Sequence, residues 1–115
     1  MNVIDLSYLE NMTGGDNEVM IEMINLLLTE TPKHLDNIKK AQDDKNWAQL
    51  RSEAHKVKPM FLYVGLSELN QICKDLEDNA KNEADLESNA ELITRLETGF
   101  NDIVDDLKHK AEELA

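Results

Sequence analysis

Apolar residues recur every three or four positions along nearly the whole chain, the spacing of side chains that share one face of an α-helix. No strand-like alternation competes with this pattern, and no segment of the chain repeats another. The pattern therefore predicts an all-α protein whose helices are separated by short polar or glycine-containing breaks.

Two breaks divide the N-terminal part of the chain. A short helix is predicted over residues 5–12, and it ends before Thr13-Gly14-Gly15. Asp16 then suits the N-cap of the next helix. Thr31-Pro32 has two interpretations, because it either caps a separate helix that runs to Ala41 or kinks one long helix.

The rest of the chain contains helical patterns over residues 47–64, 66–80 and 86–114. The last of these is predicted to be the longest helix, despite Gly99 in its interior. Long helices joined by short connections are typical of helix bundles. Residues 1–115 are therefore predicted to form one domain, an antiparallel four-helix bundle with an additional short N-terminal helix.

The composition supports this fold class and excludes several functions. Hydrophobic residues make up 41% of the chain but aromatic residues only 4%, which favours a bundle over a β-sandwich. The net charge of −12 would repel phosphate backbones, so we expect no binding to nucleic acid.

Features of the sequence also indicate the compartment. The single cysteine, Cys73, excludes an intrachain disulfide and fits a reducing environment. No apolar run approaches the ~20 residues that cross a bilayer, and the segment Met1–Asp5 does not have the pattern of a signal peptide. We expect a cytoplasmic protein without membrane insertion.

Motifs that usually carry catalysis or bind metal are missing. The chain has no glycine-rich phosphate loop, no Gly-x-Ser-x-Gly and no His-Glu-x-x-His. His34, His55 and His109 have no second histidine or cysteine at helical spacing, so we expect no metal site and no cofactor. His34 and His109 are interpreted as surface residues, and Cys73 as a buried small hydrophobe.

His55 differs from the other histidines in its position on a helix. The helix over residues 47–64 has one buried apolar face, formed by Leu50, Ala54, Val57, Phe61 and Val64. Ala54 lies near the centre of that face. At ~100° per residue, His55 falls roughly a hundred degrees away from it. It is therefore predicted to face solvent, with Arg51, Lys58 and Leu62 one or two turns away on the same side.

An exposed imidazole among cations suits phosphorylation. A neutral imidazole is a competent nucleophile at neutral pH. Phosphorylation would add about two negative charges, which Lys58 and Arg51 could screen. Surface histidines beside lysines also occur without any function, so the residues alone leave both interpretations open.

The segment Ala54-His55-Lys56-Val57-Lys58, followed by apolar positions and by Gly65, resembles the signature of histidine-containing phosphotransfer (HPt) domains. The pairs Asn46-Trp47 and Leu76-Glu77, together with Cys73, are similar to the flanking parts of such domains. Gly15-Asp16 and Thr31-Pro32 fit the N-terminal half of the family. The resemblance covers nearly the whole chain and is most specific between residues 54 and 65.

The resemblance implies a function. HPt domains relay a phosphoryl group between receiver-domain aspartates in multistep phosphorelays and have no kinase activity of their own. His55 would be the phosphoacceptor, Lys58 the cation of the motif and Gly65 its closing glycine. A polar side chain from the next helix, either Glu77 or Gln71, would lie near the histidine.

The partners implied are receiver domains of hybrid sensor histidine kinases and of response regulators. We expect a receiver to dock on Leu62, Pro59 and Ala48 as apolar contacts, with Arg51 and Lys58 as polar ones. The receiver would supply the divalent metal, so no cofactor is expected in this domain. We also expect the domain to be a monomer.

Pro59 departs from the family pattern, which usually has glycine after the motif's lysine. Proline at this position cannot donate a hydrogen bond to the His55 carbonyl, and its ring crowds that carbonyl. We therefore predict a local kink or widened turn near His55, at a cost of up to ~3 kcal/mol in an ordinary helix interior.

Other functions remain as alternatives. A helical adaptor that binds receiver domains but is never phosphorylated would have the same fold and docking surface. A histidine kinase dimerisation domain would need an acidic residue beside its histidine and a following ATP-binding domain, whereas Ala54 precedes His55. A metal-assisted hydrolase lacks the necessary ligands.

Overall fold

In the computed structural model, which describes residues 3–115, five α-helices follow one another along the chain. They are α1 (Ser7–Thr13), α2 (Asn17–Asp43), α3 (Trp47–Tyr63), α4 (Ser67–Asn82) and α5 (Asn89–Leu114), with a 3₁₀ turn at Leu86–Ser88 before α5. Met1 and Asn2, the first residues of the segment predicted not to be a signal peptide, lie outside the described residues. No helix within the described range is long and apolar enough to cross a membrane.

Helices α2 to α5 form a ring in which each packs against the next along the chain and α5 closes against α2. Short connections make successive helices antiparallel. The apolar stripes of all four helices meet in one core, as their periodicity requires. The predicted antiparallel four-helix bundle with a short N-terminal helix is confirmed.

Helix α2 continues through Pro32, so the interpretation of Thr31-Pro32 as the start of a separate helix is wrong. Leu27 and Leu35, which flank the proline by about one turn, are both buried, as is Thr31. Burying a leucine contributes about 1.5–3 kcal/mol, and an interior proline costs about 3 kcal/mol. Burial on both sides of Pro32 therefore outweighs the missing hydrogen bond and keeps one long helix.

The ends of the helices follow local sequence signals. The Asp16 carboxylate accepts a hydrogen bond from the backbone N–H of Val19 at 3.3 Å, which confirms the predicted N-cap of α2. The Asn46 side chain likewise accepts from the N–H of Gln49 at 3.2 Å and caps α3. These caps satisfy backbone donors that have no partner within their own helix.

The four bundle helices differ in length. Helices α2 and α5 have 27 and 26 residues, and α3 and α4 have only 17 and 16. At ~1.5 Å per residue, the first pair is about 40 Å long and the second about 25 Å. Helix α1 packs against α2 and α3, and its fully buried Leu9 joins the common core.

The segment before α1 is fastened to the end of α3. The N–H of Asp5 donates to the Val64 carbonyl at 2.9 Å, and the Tyr8 ring stacks on Tyr63 with centroids 6.1 Å apart. Gly65 has a positive φ of 76°, and a Cβ at this position would lie 2.7 Å from the Cβ of Asp5. Glycine is therefore required here both by the backbone conformation and by the close approach of Asp5.

His34 is not the surface residue that the sequence predicted. Its side chain is only 19% exposed, and its Nδ1 lies 2.5 Å from Oε2 of Glu53 on α3. Glu53 is 5% exposed and also accepts from Nε2 of Gln49 at 2.9 Å. The prediction failed because Glu53 lies at the edge of the buried face of α3, where a carboxylate needs partners from the neighbouring helix. His109, in contrast, is exposed as expected.

We expect His34→Ala to destabilise the fold by about 1–3 kcal/mol, the cost of removing a partner from a buried polar group. Urea denaturation followed by circular dichroism would measure this change. His109→Ala is the matched control, because that histidine is exposed on α5. Equal stability of the two variants would show that the His34–Glu53 contact adds nothing to packing of α2 against α3.

We expect Gly65→Ala to be more destabilising than Gly15→Ala. Both glycines have a positive φ, 76° and 80°, so alanine strains the backbone at either position. Only Gly65 has Asp5 within reach of the added Cβ, and overpacking of this kind costs about 1–3 kcal/mol. The difference between the two free energies of unfolding measures this clash, and no difference would contradict it.

Candidate functional site

His55 lies on the solvent side of α3, as its spacing predicted. Its side chain is 68% exposed, whereas the adjacent Ala54 and the nearby Val57 are fully buried in the core. The buried stripe thus sets the rotation of α3 about its axis and directs the imidazole outward. The ring is accessible to another protein while its backbone is held in a packed helix.

Glu77 on α4 contacts both His55 and Lys58. Its Oε1 lies 3.0 Å from Nδ1 of His55, and its Oε2 accepts a hydrogen bond from Nζ of Lys58 at 2.7 Å. Glu77 is 16% exposed and Lys58 25% exposed, so this ion pair is partly shielded from water. Of the two side chains that the sequence left open, Glu77 contacts the histidine, whereas Gln71 donates to Asp75 on its own helix.

The protonation state of Glu77 determines what it does to the imidazole. Burial acts to raise the pKa of Glu77, but hydrogen bonds from Lys58 and His55 outweigh it and hold that pKa below its ordinary value. The carboxylate can only accept hydrogen bonds, so Nδ1 of His55 carries the hydrogen. In the neutral ring, the lone pair then lies on Nε2.

Pro59 does not interrupt α3, which runs as one helix from Trp47 to Tyr63. The local kink or widened turn near His55 stays a prediction, because it concerns the geometry within this continuous helix. The backbone is also held from outside at this point, because Nδ2 of Asn70 on α4 donates to the Lys58 carbonyl at 2.8 Å. Pro59 itself is exposed on the same helix as His55.

The other residues predicted to belong to the site occupy different positions along α3 and beyond its end. An open surface depression adjoins His55, and its lining includes Ala48, Arg51, Ser52, Lys56 and Glu77. Leu62 is exposed, about two turns beyond His55 along α3. Gly65 lies past the end of α3, where its contact is with Asp5 rather than with the histidine.

The other residues considered for chemistry are the cysteine and possible metal ligands. Cys73 is buried, as predicted, and burial raises the pKa of its thiol to about 12, which makes it a poor nucleophile. Between residues 3 and 115, no group of three or more histidine, cysteine, aspartate or glutamate side chains is arranged to hold a metal ion.

Comparison with known proteins agrees with this geometry. The family model described as "Hpt domain" matches residues 22–110. Comparison with curated protein sequences gives no significant match.

Two solved structures share the fold. Histidine-containing phosphotransfer protein B (HptB) from Pseudomonas aeruginosa is 20% identical, with a TM-score of 0.85 over 96% of this chain and 95% of that one. The HPT domain of a hybrid sensor histidine kinase from Shewanella is 19% identical, with a TM-score of 0.81 over 97% of this chain and 96% of that one. The family model matches most of the chain and the solved structures share its fold, so this chain belongs to the Hpt domain family.

Proposed function

We propose that His55 is the phosphoacceptor of this domain and relays a phosphoryl group between aspartates of receiver domains. Membership of the Hpt family supports histidine phosphotransfer in two-component signalling, in which such domains act as phosphocarriers rather than kinases. The observation that carries the assignment to His55 is its exposed imidazole, held through Nδ1 by the Glu77 carboxylate.

The hydrogen bond to Glu77 prepares Nε2 as the nucleophile. With the hydrogen on Nδ1, the Nε2 lone pair is free to attack the phosphorus of an aspartyl phosphate in line with the bond that breaks. A bond forms between Nε2 and phosphorus, and the P–O bond to the receiver aspartate breaks. The aspartate leaves as a carboxylate, so no proton has to be transferred to the leaving group.

Glu77 also stabilises the product of this step. Once Nε2 is bonded to phosphorus, the imidazole retains the hydrogen on Nδ1 and its ring carries a positive charge. The carboxylate of Glu77 lies 3.0 Å from that nitrogen and is positioned before the reaction begins. Lys58 balances the charge of Glu77 through the contact at 2.7 Å. Reversal of the same step passes the group to a second receiver.

The surface around His55 offers apolar contacts for a receiver domain. Ala48, Pro59 and Leu62 are exposed along the same side of α3. The apolar surface continues from the end of α3 to α1, because Tyr63 stacks on the exposed ring of Tyr8. Apolar patches bordered by polar side chains are typical of protein–protein interfaces. We infer that the docking partner is a receiver domain, which brings the aspartyl phosphate to Nε2.

We expect His55→Gln to abolish phosphate acceptance without changing the helical circular dichroism spectrum, since His55 is exposed. Receiver domains of the source organism, phosphorylated with acetyl phosphate, would serve as donors, and radiolabel transfer would be followed on gels. His109→Gln, on an exposed part of α5, is the matched control and should accept phosphate normally. An acid-labile, base-stable label on the His55→Gln variant would disprove the assignment.

The same assay separates the phosphocarrier from an adaptor. An adaptor would bind receivers through the surface of α3 but would acquire no label from any of them. Receiver binding without transfer in the wild-type protein would therefore reject the phosphocarrier function in favour of the adaptor.

We expect Glu77→Gln to slow transfer by about 10- to 100-fold, because a charge-assisted hydrogen bond is worth about 1.5–3 kcal/mol. Stopped-flow or rapid-quench measurement of transfer from a phosphorylated receiver would test this. Gln71→Ala is the control, since Gln71 bonds only to Asp75 in this region. Normal transfer by Glu77→Gln would show that Glu77 does not prepare the nucleophile.

Glu77 should also make stability depend on pH. The pKa of Glu77 is lower in the folded protein than its ordinary value of 4.5. The stabilising effect of the carboxylate is therefore complete above pH 4.5 and is lost as the pH falls through the lowered pKa. The difference in free energy of unfolding between wild type and Glu77→Gln should therefore shrink in acid. Urea denaturation from neutral to acidic pH measures this, and a constant difference would contradict it.

A further inference from the structure

Lys58 is already engaged by a carboxylate in the free domain. Its Nζ donates to Oε2 of Glu77 at 2.7 Å, and its side chain is only 25% exposed. Both oxygens of Glu77 are occupied, one by Lys58 and one by His55. Moving Lys58 onto a phosphoryl group would break a partly shielded ion pair and leave Glu77 without its countercharge. Lys58 is therefore poorly placed to be the main contact of the phosphoryl oxygens.

The open space beside the imidazole does not include Lys58 in its lining. Helical side chains lean toward the N-terminus, so His55 projects over the preceding turn. The depression adjoining His55 is lined by Arg51 and Ser52, which are four and three residues earlier, by Ala48 and Lys56, and by the Glu77 carboxylate that Lys58 already neutralises, but not by Lys58 itself. A group attached to Nε2 would meet this depression.

Arg51 is the cation in that depression that is free to bind an anion. None of the ion pairs formed among residues 3–115 involves Arg51, whereas Lys56 lies 3.8 Å from Oε1 of Glu53. Arg51 is exposed, and its guanidinium has donors in the fork geometry that matches two oxygens of one phosphoryl group. The Ser52 hydroxyl adds a donor at the edge of the same space.

We propose that Arg51, with Ser52 beside it, forms the subsite that holds the phosphoryl oxygens of phosphorylated His55, while Lys58 acts on the site only through Glu77. The inference rests on the proposed function, because it requires His55 to carry the group. It assigns the two cations different tasks. Arg51 contacts the phosphoryl group, and Lys58 is a positioning residue that keeps Glu77 charged and in place.

Titration of the phosphoryl group on His55 distinguishes these tasks. A guanidinium beside the phosphoryl oxygens favours the dianion, so removing it should raise the pKa of the second ionisation by about one unit. The domain would be phosphorylated chemically with potassium phosphoramidate, which needs no receiver. The phosphorus chemical shift would then be followed by NMR against pH for wild type, Arg51→Gln and Lys58→Gln.

We expect Arg51→Gln to raise this pKa and Lys58→Gln to change it by less. Arg95→Gln is the matched control, because it removes the same charge on α5, where Arg95 pairs with Glu68. It should titrate as wild type. A titration unchanged in Arg51→Gln, or changed more in Lys58→Gln, would overturn the inference about Arg51.

Failure of the proposed function would look different. A wild-type domain that acquires no label on His55, from phosphoramidate or from phosphorylated receivers, would overturn both proposals. A label on His55 of the wild type whose phosphoryl pKa is unchanged in Arg51→Gln would overturn only the subsite. Receiver-dependent transfer should agree with the titration, with a slower rate in Arg51→Gln than in Arg95→Gln.

Discussion

The burial of one face of α3 is the constraint on which the site depends. Leu50, Ala54, Val57 and Phe61 are each fully buried, so rotation of α3 about its axis would expose apolar surface at about 25 cal/mol per Å². That energy holds His55 on the solvent side of the helix. The exposure of the imidazole is thus a consequence of how its neighbours pack, and it needs no special support from the residues around the ring.

Two histidine–carboxylate contacts flank α3 and have different surroundings. On the side of α4, Glu77 contacts the exposed His55 and leaves its Nε2 free. On the side of α2, Glu53 contacts the mostly buried His34 and ties the two helices together. The residue types are the same in both pairs, but the accessible ring is suited to chemistry and the enclosed ring to packing. Exposure of the histidine therefore distinguishes the ring suited to chemistry from the ring suited to packing, whereas the presence of a carboxylate partner does not.

The charge of the domain is distributed unevenly around this helix. The whole chain carries a net charge of −12, yet Arg51, Lys56 and Lys58 occur within eight positions around His55. Because salt screens exposed charges beyond roughly 10 Å, the local cations matter more to a phosphoryl group than distant carboxylates do. Two carboxylates lie close by. Glu77 contacts the ring and its charge is balanced by Lys58, whereas Glu53 contacts Lys56 and His34.

Periodicity alone predicted the helices, the core and the outward position of His55, because these follow from local spacing and from the burial of apolar side chains. The identity of the contact on Nδ1 could not be predicted in this way. Glu77 and Gln71 were equivalent candidates until the packing of α4 against α3 set which of them faces the imidazole. His34 was missed for the same reason, since its partner Glu53 is 19 residues away on another helix.

The two prolines show where the sequence is informative and where tertiary structure takes over. Each removes one helical hydrogen bond, a local effect that can be stated from the sequence. Whether the helix survives depends on contacts far along the chain, and both α2 and α3 remain continuous. The sequence was therefore sufficient for the fold class and for the histidine that faces solvent. Only the packing of helices determined the tautomer of that histidine, the engagement of Lys58 and the space left beside Arg51, because all three depend on distances between residues on different turns or helices.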